Sequence, residues 1–198
     1  MKKSTIILLS VVGVIVLLVM WGIGTYNKLY GLNQGVESAW SQVENQYQRR
    51  ADLIPNLVNT VKGFASQEER VLTGVVEARA KATSIQVTKE VLDDPAAFSK
   101  FQAAQDQFSS AISRLLAVAE NYPVLKSNEN FMDLQKQLEG TENRIAVERK
   151  RYNEVVQEFN VARGRFPGVL IANMSGFREK PYFKAKEGSD TPPPVNFK

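Results

Sequence analysis

From Ser4 to Asn27 no side chain carries a formal charge, and within that stretch Ile6 to Gly24 (IILLSVVGVIVLLVMWGIG) is almost wholly apolar. Such a run has no stable exposed place in water. A helix rises about 1.5 Å per residue, so roughly 20 residues cross a hydrocarbon core of ~30 Å. The stretch therefore predicts one transmembrane helix containing Ile6, Gly13, Trp21 and Gly24, with Trp21 and Tyr26 at its outer end in the headgroup zone. A cleaved signal peptide is the competing reading, since Lys2-Lys3 before an apolar run also describes one. Against it, the run outlasts the apolar region of about 7–15 residues usual there. No Ala-x-Ala site follows, Gly22-Ile23-Gly24 being a weak substitute, and no cysteine is available for lipid attachment. Lys2, Lys3 and the terminal amine precede the segment, whereas Lys28 and then Glu37 follow it. The positive-inside bias predicts a cytoplasmic N-terminus, with everything beyond about residue 28 outside.

Composition narrows the chemistry. Hydrophobic residues are 43% of the chain and charged residues 23%, enough apolar content for a packed core. Cysteine and histidine are absent, which removes disulfides, thiol nucleophiles, Cys/His zinc sites and Ser-His-Asp triads. The net charge of +4 is a mild excess of 25 basic over 21 acidic residues.

Beyond the apolar run the pattern repeats every 3.5 residues. Leu29, Val36, Val43, Arg50, Leu57 and Phe64 form one column, and Asn33, Trp40, Tyr47, Ile54 and Val61 form the other. Two such columns are the seam of a coiled helix. The register passes through Pro55, so one helix is expected from the membrane to about Lys62, kinked where proline frees the carbonyl of Ala51. Alternatively, Asp52 caps a new helix with Pro55 in its first turn. After Gly63, Ser66-Gln67-Glu68-Glu69 matches a capping box. Asp94-Pro95 is a strong start signal, followed by Phe98, Phe101, Gln105, Phe108, Ile112, Leu115, Ala119 and Tyr122 at spacings of three and four. Pro123 ends that run and Ser127 opens the next. There Phe131, Leu138, Ile145, Tyr152 and Phe159 lie seven apart, beside Leu134, Thr141, Glu148, Val155 and Ala162. The expected fold is all-α: a single N-terminal transmembrane helix (residues 1–27 with its cytoplasmic end) continuing into an antiparallel up-down four-helix bundle (28–164). The bundle helices are expected at about 28–62, 66–84, 94–122 and 127–163. A membrane-proximal apolar and basic segment (165–183) closes it, and a polar, proline-containing tail (184–198) is expected to be disordered.

The block Arg49-Arg50-Ala51-Asp52-Leu53-Ile54-Pro55-Asn56-Leu57-Val58 closely resembles the signature of the LemA family. So do Trp40 to Gln46, Ala78 to Ala82, Glu142 to Ala146, and Gly176-Phe177 with Lys180-Pro181-Tyr182-Phe183. The resemblance implies a bacterial origin and an N-terminal membrane anchor followed by an antiparallel four-helix bundle. Together with the charge bias this predicts an inner-membrane protein whose bundle is extracytoplasmic, periplasmic if the envelope is Gram-negative. The resemblance implies no established enzymatic activity, and association with membrane biogenesis, organelle formation or neighbouring membrane proteases.

Arg49, Arg50, Asp52 and Pro55 are thus candidate signature and kink residues. The arginines either read an external carboxylate or anion, or pair with acids on the last long helix such as Glu142 or Glu148. Catalysis, a cofactor and a metal site are not expected, because the paired acids Glu68/Glu69 and Asp93/Asp94 stand at helix starts where they cap free N–H groups. Nucleic acid is not expected either: Arg149-Lys150-Arg151 is interspersed with Glu148, Glu154 and Glu158. In an up-down bundle the last helix returns to the bilayer, so residues 166–177, with Phe166, Leu170, Phe177 and Arg178, either meet membrane lipid or close the bundle end. Gly31-x-x-x-Gly35 is a candidate self-association pair, or a chance pairing of small residues in a hinge. The function expected is a non-enzymatic, self-assembling membrane scaffold. The alternative is an adaptor for another membrane protein such as a membrane protease.

Overall fold

The computed structural model describes residues 3–85 and 87–185, and among these every regular element is a helix. The elements are α1 (Lys3–Phe64), α2 (Glu69–Ser84), α3 (Lys89–Leu92), α4 (Pro95–Ala119), α5 (Pro123–Lys126), α6 (Glu129–Gly164) and α7 (Gly168–Met174).

α1 is one unbroken helix of 62 residues, about 90 Å at the helical rise. Its apolar N-terminal part is unburied. From Leu29 the two heptad columns turn inward, and every member from Leu29 to Val61 is buried, Asn33 and Arg50 included. Phe64, next in the column, is exposed because the helix ends there. Asp52 starts no new helix. It is exposed and accepts a hydrogen bond from Gln48 Nε2 at 2.8 Å. Pro55 lies inside α1 with no N–H to offer the Ala51 carbonyl. Arg79 Nε, from α2, donates to that oxygen at 2.7 Å instead.

The remaining boundaries follow local chemistry. Ser66 does not cap α2: the preceding residue is Glu68, with no side-chain capping bond. The Glu68 carboxylate accepts instead from Tyr122 Oη at 3.0 Å, and the chain turns through the bond from Glu68 N to Ala65 O. Asp94 caps α4 by accepting from Ala96 N at 2.8 Å, with Pro95 in the first turn. α4 stops at Ala119, and Pro123 opens the one-turn α5 rather than merely ending a helix. That turn moves the start of α6 past Ser127 to Asn128, whose Oδ1 accepts from Phe131 N at 3.1 Å. The connection between Ser84 and Asp94, outside the helices expected from sequence, contains α3, which buries Leu92.

Two apolar clusters fill the interior. The one far from the apolar run joins Ile54, Leu57 and Val61 of α1 to Leu72, Phe108, Leu115, Leu125 and Leu138. The nearer one is rich in aromatic rings, with Trp40, Phe98, Phe101, Tyr152, Phe159 and Phe183. Between α1 and the C-terminal elements, Gly35 meets Val155, Arg50 meets Glu142, and Gly168 lies against Thr25, so partner numbers fall as α1 numbers rise.

Candidate functional site

Arg50 stands at the junction of the two clusters. Its Nη1 donates to Ser109 Oγ at 2.6 Å and to Glu142 Oε1 at 2.7 Å, and its Nη2 donates to Gln105 Oε1 at 2.6 Å. The guanidinium lies over the rings of Phe108 (4.9 Å to the centroid) and Tyr47 (5.1 Å). Gln105 in turn donates from Nε2 to the Ala82 carbonyl at 3.3 Å. One buried cation thus ties α1 to α2, α4 and α6. Arg50 is 1% exposed and Glu142 41%, so the pair keeps its acid partly hydrated, which limits the desolvation penalty of a buried charge. An arginine so engaged is a clamp within the fold; its Nε lacks a hydrogen-bond partner among the described residues but is buried out of reach of an outside anion. Arg49 is exposed. Tyr47, against Arg50, is pushed up to about 12 by burial, which denies its phenolate hydration; the pull of Arg149 and Arg50 only partly offsets this. The Tyr47 hydroxyl has no hydrogen-bond partner among the described residues. Burial raises Tyr152 as well, with Asp93 adding to the effect.

A second constellation is built on the extended segment 177–185, which crosses the aromatic cluster. Asn160 donates to the Lys180 carbonyl and accepts from the Lys180 N–H, both at 2.9 Å. Asn153 does the same for Phe183, at 3.0 and 2.9 Å. Gln102 of α4 does it for Lys184, at 2.9 and 3.3 Å, and Arg149 also donates to the Lys184 carbonyl at 3.0 Å. The spacing has a geometric cause. Seven helical residues climb about 10.5 Å, and three extended residues cover about 10 Å, so a heptad of α6 matches Lys180 to Phe183. The Phe183 ring stacks on Trp40 (5.9 Å between centroids), meets Tyr152 at 5.4 Å and Phe98 at 4.9 Å, and lies under the Arg149 guanidinium. Lys180 is buried, forms an ion pair with Asp93 and approaches the Phe159 ring. Lys184, assigned to the tail on sequence, is therefore held by its backbone, and the rest of that proposed tail from residue 186 lies outside the described residues. Asn153, Asn160 and Gln102 were not singled out from sequence. Their one signal is two asparagines seven apart beside the α6 seam.

The third region lies where α1 leaves its apolar run. α7 packs on α1, with Ile171 Cδ1 3.7 Å from where a Cβ on Gly22 would stand, and Thr25 Cγ2 at the same distance from one on Gly168. Phe177 lies against Tyr26 (5.8 Å) and Phe159 (6.2 Å), and its carbonyl accepts from Arg163 Nε at 2.9 Å. Phe166 and Leu170 face outward, and Arg178 is exposed. Of the candidate self-association pair, Gly35 backs onto Val155 of α6, whereas Gly31 has open space beside it.

Among the described residues no group of three or more acids could hold a metal ion. A cleft of about 440 Å³ opens between α1, α2 and α4 beside Tyr47, Phe101 and Phe108, and its one buried amide, Gln105, is already committed to Arg50 and Ala82.

The LemA family model matches residues 39–197. The chain is 28% identical to magnetosome protein MamQ 2 of Paramagnetospirillum magneticum over 200 residues, covering 93% of this chain and 72% of that protein. Magnetosome protein MamQ of Magnetospirillum gryphiswaldense matches with the same identity and coverage. A protein LemA of Metamycoplasma hominis is 21% identical, over 83% of this chain and 71% of its own length.

Proposed function

The chain belongs to the LemA family, and from that membership and its build we propose that it is a non-enzymatic, membrane-anchored scaffold that self-assembles and organises membrane. In this reading, residues 6–24 cross the bacterial inner membrane once, with the N-terminus cytoplasmic. α1, α2, α4 and α6 form an antiparallel up-down four-helix bundle on the outer side. Opposed numbering along α1 and α6 supports the arrangement. The relatives named as magnetosome proteins support a role in organising a cellular structure.

The observation that carries the reading is the continuity of α1. A helix with one unburied apolar stretch runs without a loop into the buried seam of the folded body. Such a rod fixes the body to the bilayer at a set attitude, which suits ordered lateral assembly.

The test is the size of the full-length protein in mild detergent, by light scattering and electron microscopy. A discrete particle of many copies is the expected result. A monomer that enlarges only on adding another membrane protein would overturn the scaffold reading and leave the adaptor.

A further inference from the structure

We propose that residues 166–177 form a wedge that enters one leaflet of the bilayer beside α1, with lipid acyl chains as its partner. This rests on the reading of α1 as membrane-crossing, but not on which side the folded body occupies.

From Phe166 to Phe177 no side chain is charged, and Arg165 and Arg178 bracket the segment. Gly168 lies against Thr25 and Ile171 against Gly22, so α7 descends along α1 towards the apolar run instead of crossing its end. The same descent carries Met174 about one turn deeper, near the level of Val19. The face turned away from α1 is uncovered and mostly apolar: Phe166 is 81% exposed, Leu170 54% and Met174 84%, with Asn173 and Ser175 the polar side chains exposed beside them. These residues begin at the level where α1 itself presents exposed Ile23, Trp21 and Met20. The uncovered surface is thus continuous with that of the membrane helix, and the solvent that covers one covers the other.

The backbone is fit for that solvent, because a segment in hydrocarbon must satisfy its own polar groups. Val169 N donates to Arg165 O at 2.9 Å, Ser175 N to Ile171 O at 2.9 Å and Phe177 N to Ala172 O at 3.0 Å. The chain reverses at Gly176, whose φ of 74° suits glycine, and Phe177 returns to Tyr26. Arg165, Arg178 and Lys28 are exposed around the entrance, where long cationic side chains reach back to phosphates. A segment that enters only one leaflet adds area to that leaflet alone.

The experiment places the full chain in phosphatidylcholine vesicles whose acyl chains carry bromine, either near the carbonyl end or at mid-chain. Trp21→Phe is the background, leaving buried Trp40 as the internal reference, and Met174→Trp or Val16→Trp is added. Met174 makes so little contact that its replacement leaves the fold intact. Met174→Trp is expected to lose about half of its emission to bromine near the carbonyl end while Trp40 is unaffected. Quenching of Val16→Trp without quenching of Met174→Trp overturns the wedge and spares the membrane-crossing helix. Absence of quenching at both positions overturns both. Disulfide-linked dimers of Met174→Cys, with Met174→Trp shielded from bromine, would assign the face to a second copy and overturn the lipid assignment.

Discussion

Pro55 and Arg79 are best understood together. Proline leaves the Ala51 carbonyl without its helical donor, Ala51 is buried, and Arg79 supplies the missing bond from another helix. Arg79→Ala is therefore expected to destabilise the protein by about 1–3 kcal/mol in urea unfolding, the cost of an orphaned buried acceptor. In a Pro55→Ala background residue 55 regains its N–H, and the same Arg79→Ala change is expected to cost about 1 kcal/mol less or better. Additivity of the two changes would refute the coupling. Tyr47 sets a pH dependence. Its folded pKa, about 12, lies above the unfolded value of about 10, so its contribution is complete below pH 10 and is lost as pH rises towards 12. The denaturant midpoint is expected to fall over that window, and Tyr47→Phe to make the fall shallower. The two arginines of the signature block read alike in sequence. Only the helical phase, which puts Arg50 in an apolar column and Arg49 outside it, separates a buried clamp from a surface charge.

Among the elements, the columns of α1 and the first column of α6 were legible because burial along a helix obeys one period, and Leu29 to Val61 and Phe131 to Phe159 follow it. Of the second α6 column only Thr141 is buried, and Val156, outside both, is buried beside Val155. The helix ends were less legible, since several residues compete for each cap: Glu68 bonds Tyr122 and the box at Ser66 is not made. The extended segment was illegible as structure because its hydrogen bonds go to side chains distant in sequence, which no local period records. That arrangement makes a measurable claim. The amides of Lys180 and Phe183 are expected to resist hydrogen exchange although they lie outside every helix. Asn160→Ala is expected to release protection chiefly at Lys180, and Asn153→Ala chiefly at Phe183, each by about tenfold. Uniform loss along the segment in either variant would mean that it is held by Phe183 alone, without the paired amides.

For the whole molecule, the absence of cysteine makes topology directly measurable. Gln137→Cys, on an exposed part of α6, is expected to react with a membrane-impermeant maleimide added to spheroplasts, whereas Lys3→Cys is expected to react only after lysis. The reverse pattern would invert the proposed orientation and leave the one-leaflet wedge on the cytoplasmic face. The long apolar helix at the start of the chain was its most legible part, since length and lack of charge need no tertiary information. Any partner of the folded body was the least legible, because surfaces that meet partners carry no period of their own.

In the proposed membrane-anchored arrangement the unbroken α1 also acts as a lever. Membrane helices commonly lean by about 20° to match their apolar length to the local bilayer. From Gly24 to Phe64 is about 60 Å of helix, so such a lean displaces the far end by about 20 Å. With no loop to absorb the angle, a bilayer a few ångströms thinner or thicker resets the posture of everything above it. In the proposed scaffold, neighbouring copies in the same patch of lipid then share one inclination before they touch.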